Sequence, residues 1–440
     1  MTEYLRAIKS TLTGSPDTPL VLVCNFEAEA QWARRHVGLP GVGFSASTDM
    51  VDRMEELGVL LAGRDDTLVL SHDLDPGFRE YIADLGCEPP TVVVPSNIEP
   101  GRSTTDNALA SPDTVDLLAR TGGMLLPMGT SEGEQKLAAE AGLSLAVPTA
   151  EVFERVNSKI YSRRLVEASG LRAVPGHCCE TADEFLAVLR QYQDGSTLVV
   201  KDAYGVSGKG LVVLDTRAKV DGLAKMVRRR ADRSGERRLH VVVEHWLSKQ
   251  FDLNYQLTVA RDGTITFDFV KQALTEGGVH KGHLMPVDLP RHQQEELREA
   301  VDVVGARLFA DGFHGVTGVD AILGADGLLY PVLEINARLN MSTYQGGVTE
   351  RLVPSGHACL ARYYPLRLAA PITFADVRRA LGPLLTSGQV IVTCFGTVNA
   401  NAAAEPPFDG RLYTMLVAPY RTGLAELDSA VTAALTILED

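Results

Sequence analysis

The sequence predicts an α/β fold: an N-terminal layer built on a parallel sheet, followed by α+β lobes. Three observations carry this. Over roughly the first 125 residues, short apolar runs alternate with helical patterns, as in a mostly parallel sheet. From Ser196 the composition changes to strands and glycine turns. Between Val319 and Arg338, two apolar runs flank a Gly-Ala-Asp-Gly turn, which is a hairpin signal. At 440 residues the chain has room for about three domains.

Taken in order, residues 20–24, 67–71 and 91–95 are predicted buried strands, separated by helical patterns at 27–36 and 76–85. No G-x-G-x-x-G follows the first strand, which excludes a dinucleotide fingerprint. Residues 123–129 make a further short strand. Ser131 is placed to cap a helix through Ala141, and Gly142 to end it. A second helix, with Asn157 as its predicted N-cap, runs to Gly170. Strands at 197–201 and 210–214 flank a glycine-rich loop, 220–238 is a helix with a basic end, and 239–244 is an apolar strand. Residues 254–261 and 265–271 pair around Asp262-Gly263, and a helix covers 290–308. Strands follow at 390–398 and 412–417, with a loop over 399–407 between them and a last helix ending at Leu438. The predicted domains are 1–125, 126–247, 248–364 and 365–440.

The net charge of −14 argues against a general nucleic-acid binder, while leaving room for a local basic site. Cys24, Cys87, Cys178, Cys179, Cys359 and Cys394 are scattered, with neither zinc spacing nor a disulfide framework. A reducing, cytoplasmic setting is expected. The N-terminus has no signal-peptide core, and no apolar run reaches the ~18 residues of a membrane span.

The hairpin holds the chemistry. With Ala325-Asp326-Gly327 as its loop, Asp320 is predicted opposite Val332, and Glu334 and Asn336 share its face. Three oxygen ligands are too few for an all-protein cage. They suit Mg²⁺, which keeps waters and takes phosphate oxygens as further ligands. Arg338, two residues on, adds a cation for a carboxylate or phosphate. The competing reading is an ordinary hairpin with acids in water.

Upstream, Lys201 ends a strand before Ala-Tyr-Gly205-Val-Ser207-Gly208-Lys209-Gly210, where small residues let backbone N–H groups approach phosphates. This is not a Walker A loop, since Lys209 is followed by Gly. A tight hairpin with a solvated lysine is the alternative. Lys159 falls in the first turn of its helix, where a cation opposes the helix dipole and wants an anionic partner. Glu244-His245-Trp246-Leu247 ends a strand in a bend able to offer backbone groups and an apolar wall to a purine, or simply to pack in the core. Lys271 is a weaker candidate at a strand end. The stretch 277–283 is a candidate lid, glycine-rich and cationic, or else a mobile solvent loop. The arginines of 228–238 fit a solvated helix face, and His314 fits a packed histidine.

In this order the signals resemble the ATP-grasp carboxylate–amine ligases: Asn157 and Lys159 before a helix, Lys201 with the glycine loop, the Glu244–Leu247 hinge, then Asp320, Glu334-x-Asn336 and Arg338. The resemblance covers about residues 120–345 and implies a two-lobed ATP-grasp fold behind a pre-ATP-grasp domain. It implies ATP and Mg²⁺ (or Mn²⁺) as cofactors. Lys159, Lys201, Gly205, Ser207, Gly208, Lys209 and Gly210 would meet phosphates, and Glu244, His245, Trp246 and Leu247 the base. Asp252 is the ribose candidate, although an extra residue after the hinge shifts its position. Asp320, Glu334 and Asn336 would hold the metal, and Arg338, Lys201 and Lys281 would act in catalysis. It further implies a carboxylic acid and an amine or peptide as substrates, joined through an acyl phosphate, in a protein without nucleic-acid or membrane partners, as a monomer or homodimer. A non-catalytic ATP-binding switch and a carboxylase or carboxylate kinase on the same fold are the alternatives.

Overall fold

The computed structural model describes residues 1–40, 49–205, 210–277 and 279–438. Ser207, Gly208 and Lys209 of the glycine loop lie outside the described residues.

The strands form three sheets. The first comprises β1 (Leu20–Val23), β2 (Thr67–Val69), β3 (Thr91–Val93), β4 (Met124–Pro127) and β5 (Ser144–Leu145), all parallel, in the order β3-β2-β1-β4-β5. Its central strand is buried along its whole length, as a parallel sheet covered on both faces requires. The helix Glu132–Glu140 behind β4 carries the predicted Ser131 cap, completed by Glu134 as a capping box.

The second sheet contains β6 (Gly176–Thr181), β7 (Leu198–Asp202), β8 (Leu211–Leu214) and β9 (Arg238–His245), antiparallel, in the order β6-β9-β7-β8. The basic helix beside it spans Arg217–Ser234, starting and stopping earlier than predicted because Thr216 caps it and Gly235 ends it at φ 70°. The third sheet holds β10 (Lys249–Val259), β11 (Ile265–Glu276), β12 (Val279–Met285), β13 (Gly315–Gly324), β14 (Leu329–Asn336), β15 (Ala358–Leu368), β16 (Val390–Cys394) and β17 (Phe408–Ala418). Its order is β14-β13-β10-β11-β12-β15-β17-β16, so the C-terminal strands extend the sheet that carries the hairpin.

Three sequence expectations are corrected. The helix after Val156 spans Lys159–Ser169 and is capped by Ser158, whose hydroxyl accepts from the Ile160 N–H; Asn157 instead closes the preceding helix Ala150–Val156. Asp320 pairs with Glu334 itself, not with Val332. The register shifts between Asp320 and Ile322, opposite Pro331, which has no N–H to give the ladder. The shift is by two residues, so the predicted faces survive. Third, residues 279–283 of the candidate lid are not a free loop: they belong to β12, which pairs with both β11 and β15, and Gly278 lies outside the described residues.

A strap joins the first sheet's domain to the second. His36 packs edge-on against Tyr204 and His240. The Val37 N–H donates to His240 Nδ1 at 3.0 Å, and the His240 N–H donates to the Val37 carbonyl at 2.8 Å. Leu39, 3% exposed, lies within the apolar core of the four-stranded sheet, beside Val200 and Val241. Its N–H donates to Asp202 Oδ1 at 2.7 Å. Gly38 passes so close to Asp202 that a Cβ there would sit 2.9 Å from the carboxylate.

Candidate functional site

A cavity of about 310 Å³ opens between the four-stranded and eight-stranded sheets. Lys159, Lys201, Gly205, Gly210, Glu244, His245, Trp246, Leu247, Asp252, Asp320, Glu334, Asn336 and Arg338 all line it. Residues nearly 180 positions apart thus share one space.

Its charges pair across the lobes. The Lys159 ammonium, at the start of its helix, donates to Glu334 Oε1 at 2.6 Å and to the Gly205 carbonyl at 2.8 Å. Lys201, on β7, donates to Glu244 Oε2 at 2.6 Å. Burial would pull the Lys201 ammonium's pKa down, but the Glu244 charge, with Glu334 and Asp320 behind it, holds it above its ordinary value. The other oxygen of Glu244 accepts from Arg163 at 3.1 Å. Glu244 is therefore a buried anchor between two cations and does not offer its carboxylate to the cavity. Arg163 escaped the sequence reading, although its position four residues after Lys159 puts it on the same helix face.

At the bend, the His245 and Trp246 N–H groups donate to Pro175 and Thr197, whereas the Leu247 N–H has no backbone acceptor among the described residues. The Trp246 side chain is half-exposed at the cavity edge. Asp252 is bound to Lys249 and Thr275.

On the hairpin, Asp320 Oδ1 accepts from Asn254 at 2.8 Å and Oδ2 from Asn336 at 3.2 Å. Burial, and then the Glu334 charge, push the Asp320 carboxyl up to about 6. Two facing carboxylates crowded in this way form an oxygen-donor pair suited to a hard divalent cation, and Asn336, which turns its nitrogen to Asp320 and its oxygen to Arg338, would add an oxygen only with its amide reversed. Among the described residues no three His, Cys, Asp or Glu side chains are grouped so as to hold a metal ion. Asn254 entered through pairing of β10 with β13, which is invisible in the sequence.

Two candidates fall elsewhere. Lys281 sits at the register break between the Leu274–Gly282 and Thr275–His280 pairs. The bulge turns it outward, where it faces Glu276 at 3.6 Å. Its neighbours His280 and His283 do line the cavity, with their Nε2 atoms 3.2 Å apart. Burial lowers the pKa of both imidazoles, that of His280 to about 4, so neither histidine adds positive charge to the cavity at neutral pH. Lys271 lies within β11 on the sheet face of its partner Asn254, buried behind the cavity lining, and donates to the Ser342 carbonyl at 3.0 Å and Gln345 Oε1 at 3.1 Å.

Burial brings the Lys271 ammonium's pKa down to about 7. An unfolded lysine titrates near 10.4. Between these values the unfolded chain holds a proton that the native state has lost, so this group makes stability rise with pH from about 7 to 10. Unfolding free energies from urea titration should therefore show wild type gaining on Lys271→Met across that window. A constant difference would mean that Lys271 stays charged when buried.

This cleft between two lobes, with lysines on one wall and a carboxylate hairpin on the other, falls largely within a segment that matches a known domain family. Residues 54–143 match the pre ATP-grasp domain and residues 171–342 match the ATP-grasp domain. Among curated proteins, the chain is 29% identical over 204 residues to the [butirosin acyl-carrier protein]–L-glutamate ligase of Niallia circulans, covering 46% of this chain and 48% of that one. It is 25% identical over 203 residues to the carbamoyl phosphate synthase large chain of Pseudomonas syringae pv. tomato, covering 45% of this chain and 18% of that one. The chain thus spans about half or less of the length of these curated relatives. Among solved structures, N5-carboxyaminoimidazole synthetase from Staphylococcus aureus complexed with ADP superposes with a TM-score of 0.56 at 11% identity, covering 94% of this chain and 97% of that one. The L-amino acid ligase from Bacillus licheniformis gives 0.54 at 13%, covering 95% and 98%. At these identities the two structures establish the shared fold. Among the described residues no helix is long and apolar enough to cross a membrane.

Proposed function

We propose that this chain is an ADP-forming ligase that joins a carboxylic acid to an amine at the expense of ATP. The observation that carries this reading is the convergence of Lys159, Lys201, Asp320, Glu334 and Arg338 on one cavity, where each lysine now pairs with a carboxylate. A polyphosphate with its metal would exchange these internal pairs for external ones without leaving a charge unmatched.

In this reading the Leu247 N–H and Trp246 receive the purine, and Asp252 the ribose. Lys159 and Lys201 neutralise the phosphates, with Gly205 and Gly210 beside them. Asp320, Glu334 and Asn336 hold Mg²⁺, for which Mn²⁺ can substitute; when bound, the ion screens charge on the transferring phosphoryl group. A substrate carboxylate oxygen attacks the γ-phosphorus, the bond to ADP breaks, and an acyl phosphate forms. The amine then attacks the acyl carbon, loses a proton and displaces phosphate. Arg338 faces the reacting carboxylate. No covalent nucleophile is needed, since positioning and charge neutralisation carry the reaction.

The names of two relatives, a ligase for L-glutamate in butirosin chemistry and an L-amino acid ligase, favour amide formation with an amino acid. Length and layout also resemble the peptide ligase of pheganomycin biosynthesis. The acyl donor in this reading is an N-capped, nonproteinogenic amino acid, and the acceptor an amino acid or peptide amine. ADP release, measured with Mg²⁺ over pairs of acids and amines, should require both partners of a pair. ATP binding without turnover for every pair would replace this reading with a non-catalytic switch. Release that needs only the acid would replace it with a carboxylate kinase.

A further inference from the structure

We propose that Glu29, supplied by the pre-ATP-grasp domain, is a positioning residue that sets the aim of Arg338. The inference rests on the ligase reading for the role of Arg338, but its geometric part stands apart from it. Glu29 lies in the short helix Ala28–Trp32 that follows β1, 309 residues before Arg338. Both are buried, at 6% and 9% exposure. Arg338 Nε donates to Glu29 Oε1 at 2.7 Å, and Nη2 donates to the same oxygen. Nη2 also donates to Asn336 Oδ1 at 3.0 Å, and Nη1 to the Leu339 carbonyl at 3.2 Å.

A guanidinium has five N–H groups, and these contacts engage four of them. One, on Nη1, is left for the cavity that Arg338 lines. Glu29 does not line that cavity, so it acts through the arginine. Its own helix is pinned to the same place. Asn25 Nδ2 donates to the Gly129 carbonyl at 2.8 Å, and the Leu339 N–H donates to the Met128 carbonyl at 3.0 Å. The plane of the guanidinium is thus fixed before substrate arrives. A bidentate grip on a substrate carboxylate, the usual arginine habit, is replaced by one directed N–H. Loss of Glu29 would let the side chain rotate, and misplacement on the scale of 1 Å costs up to about 10²-fold in rate.

The test compares Glu29→Ala and Glu29→Gln with wild type in the full-length protein. Glu29→Ala should lower kcat/KM for the carboxylic acid by about 10- to 100-fold with the KM for ATP unchanged. Glu29→Gln, which keeps an acceptor oxygen, should recover most of that loss. The Arg338 Nε–H resonance, assigned with an Arg338→Lys control, should be slow to exchange in wild type and in Glu29→Gln and exposed in Glu29→Ala. Equal losses in the ATP and acid parameters, together with a lower melting temperature, would reduce Glu29 to a structural role and overturn the proposal. An unchanged Nε–H resonance in Glu29→Ala would overturn it even if no acid–amine pair gave turnover, a result that would count separately against the ligase reading.

Discussion

Lys201→Ala should lower ADP formation by on the order of 10²- to 10³-fold, the usual effect of removing one preorganised donor from developing or transferred negative charge. The reasoning starts from its partner. Glu244 is 5% exposed and holds Lys201 at 2.6 Å and Arg163 at 3.1 Å. When the lysine is removed, Arg163 still compensates Glu244, so the four-stranded sheet has no reason to unfold. The loss should therefore appear in ATP affinity and turnover, with the circular dichroism spectrum retained. Full activity in Lys201→Ala would remove Lys201 from the phosphate site.

Glu334→Gln should have the larger effect, about 10³-fold. A metal ion contributes several kcal/mol of charge stabilisation, and each 1.4 kcal/mol is tenfold in rate. The substitution preserves shape and the pairing of β13 with β14 but removes one of the two facing carboxylates. It also removes the negative charge that faces the Lys159 ammonium, leaving it neutral acceptors such as the Gly205 carbonyl. ADP formation followed across a Mg²⁺ titration should then need far more metal, where it is seen at all. A Mg²⁺ dependence identical to wild type would move the metal off this hairpin.

Much of this site was legible because its chemistry is local in the chain. Asp320, Glu334 and Asn336 sit on one hairpin, where strand alternation puts Glu334 and Asn336 on one face and any even register keeps Asp320 with them, and Arg338 follows two residues beyond the strand. That is why the mistaken opposition to Val332 did no harm: the break at Pro331 moved the register by an even number. The Lys159 helix and the Lys201 strand were legible from the glycines that follow them, although the cap of the helix is Ser158 and not Asn157. Residues that arrive through tertiary pairing were not. Glu29 carries no local signal, and Asn254 becomes a neighbour of Asp320 only when β10 pairs with β13. Lys281 failed for a related reason, because a bulge turned outward the one residue that composition favoured. Lys271 is an interior position and not the strand end it was taken for, because β11 runs on to Glu276.

The strap from His36 to Leu39 changes how the cleft can open. Exposing a buried leucine to water costs about 1.5–3 kcal/mol. A swing of the four-stranded sheet that withdrew Leu39 would thus be populated roughly 10- to 100-fold less than one that kept it seated. The nucleotide clamp therefore carries a latch. The N-terminal domain stays packed on the eight-stranded sheet in one continuous core while Leu39 tethers it to the four-stranded sheet, so the low-energy openings of the chamber are those that keep Leu39 seated.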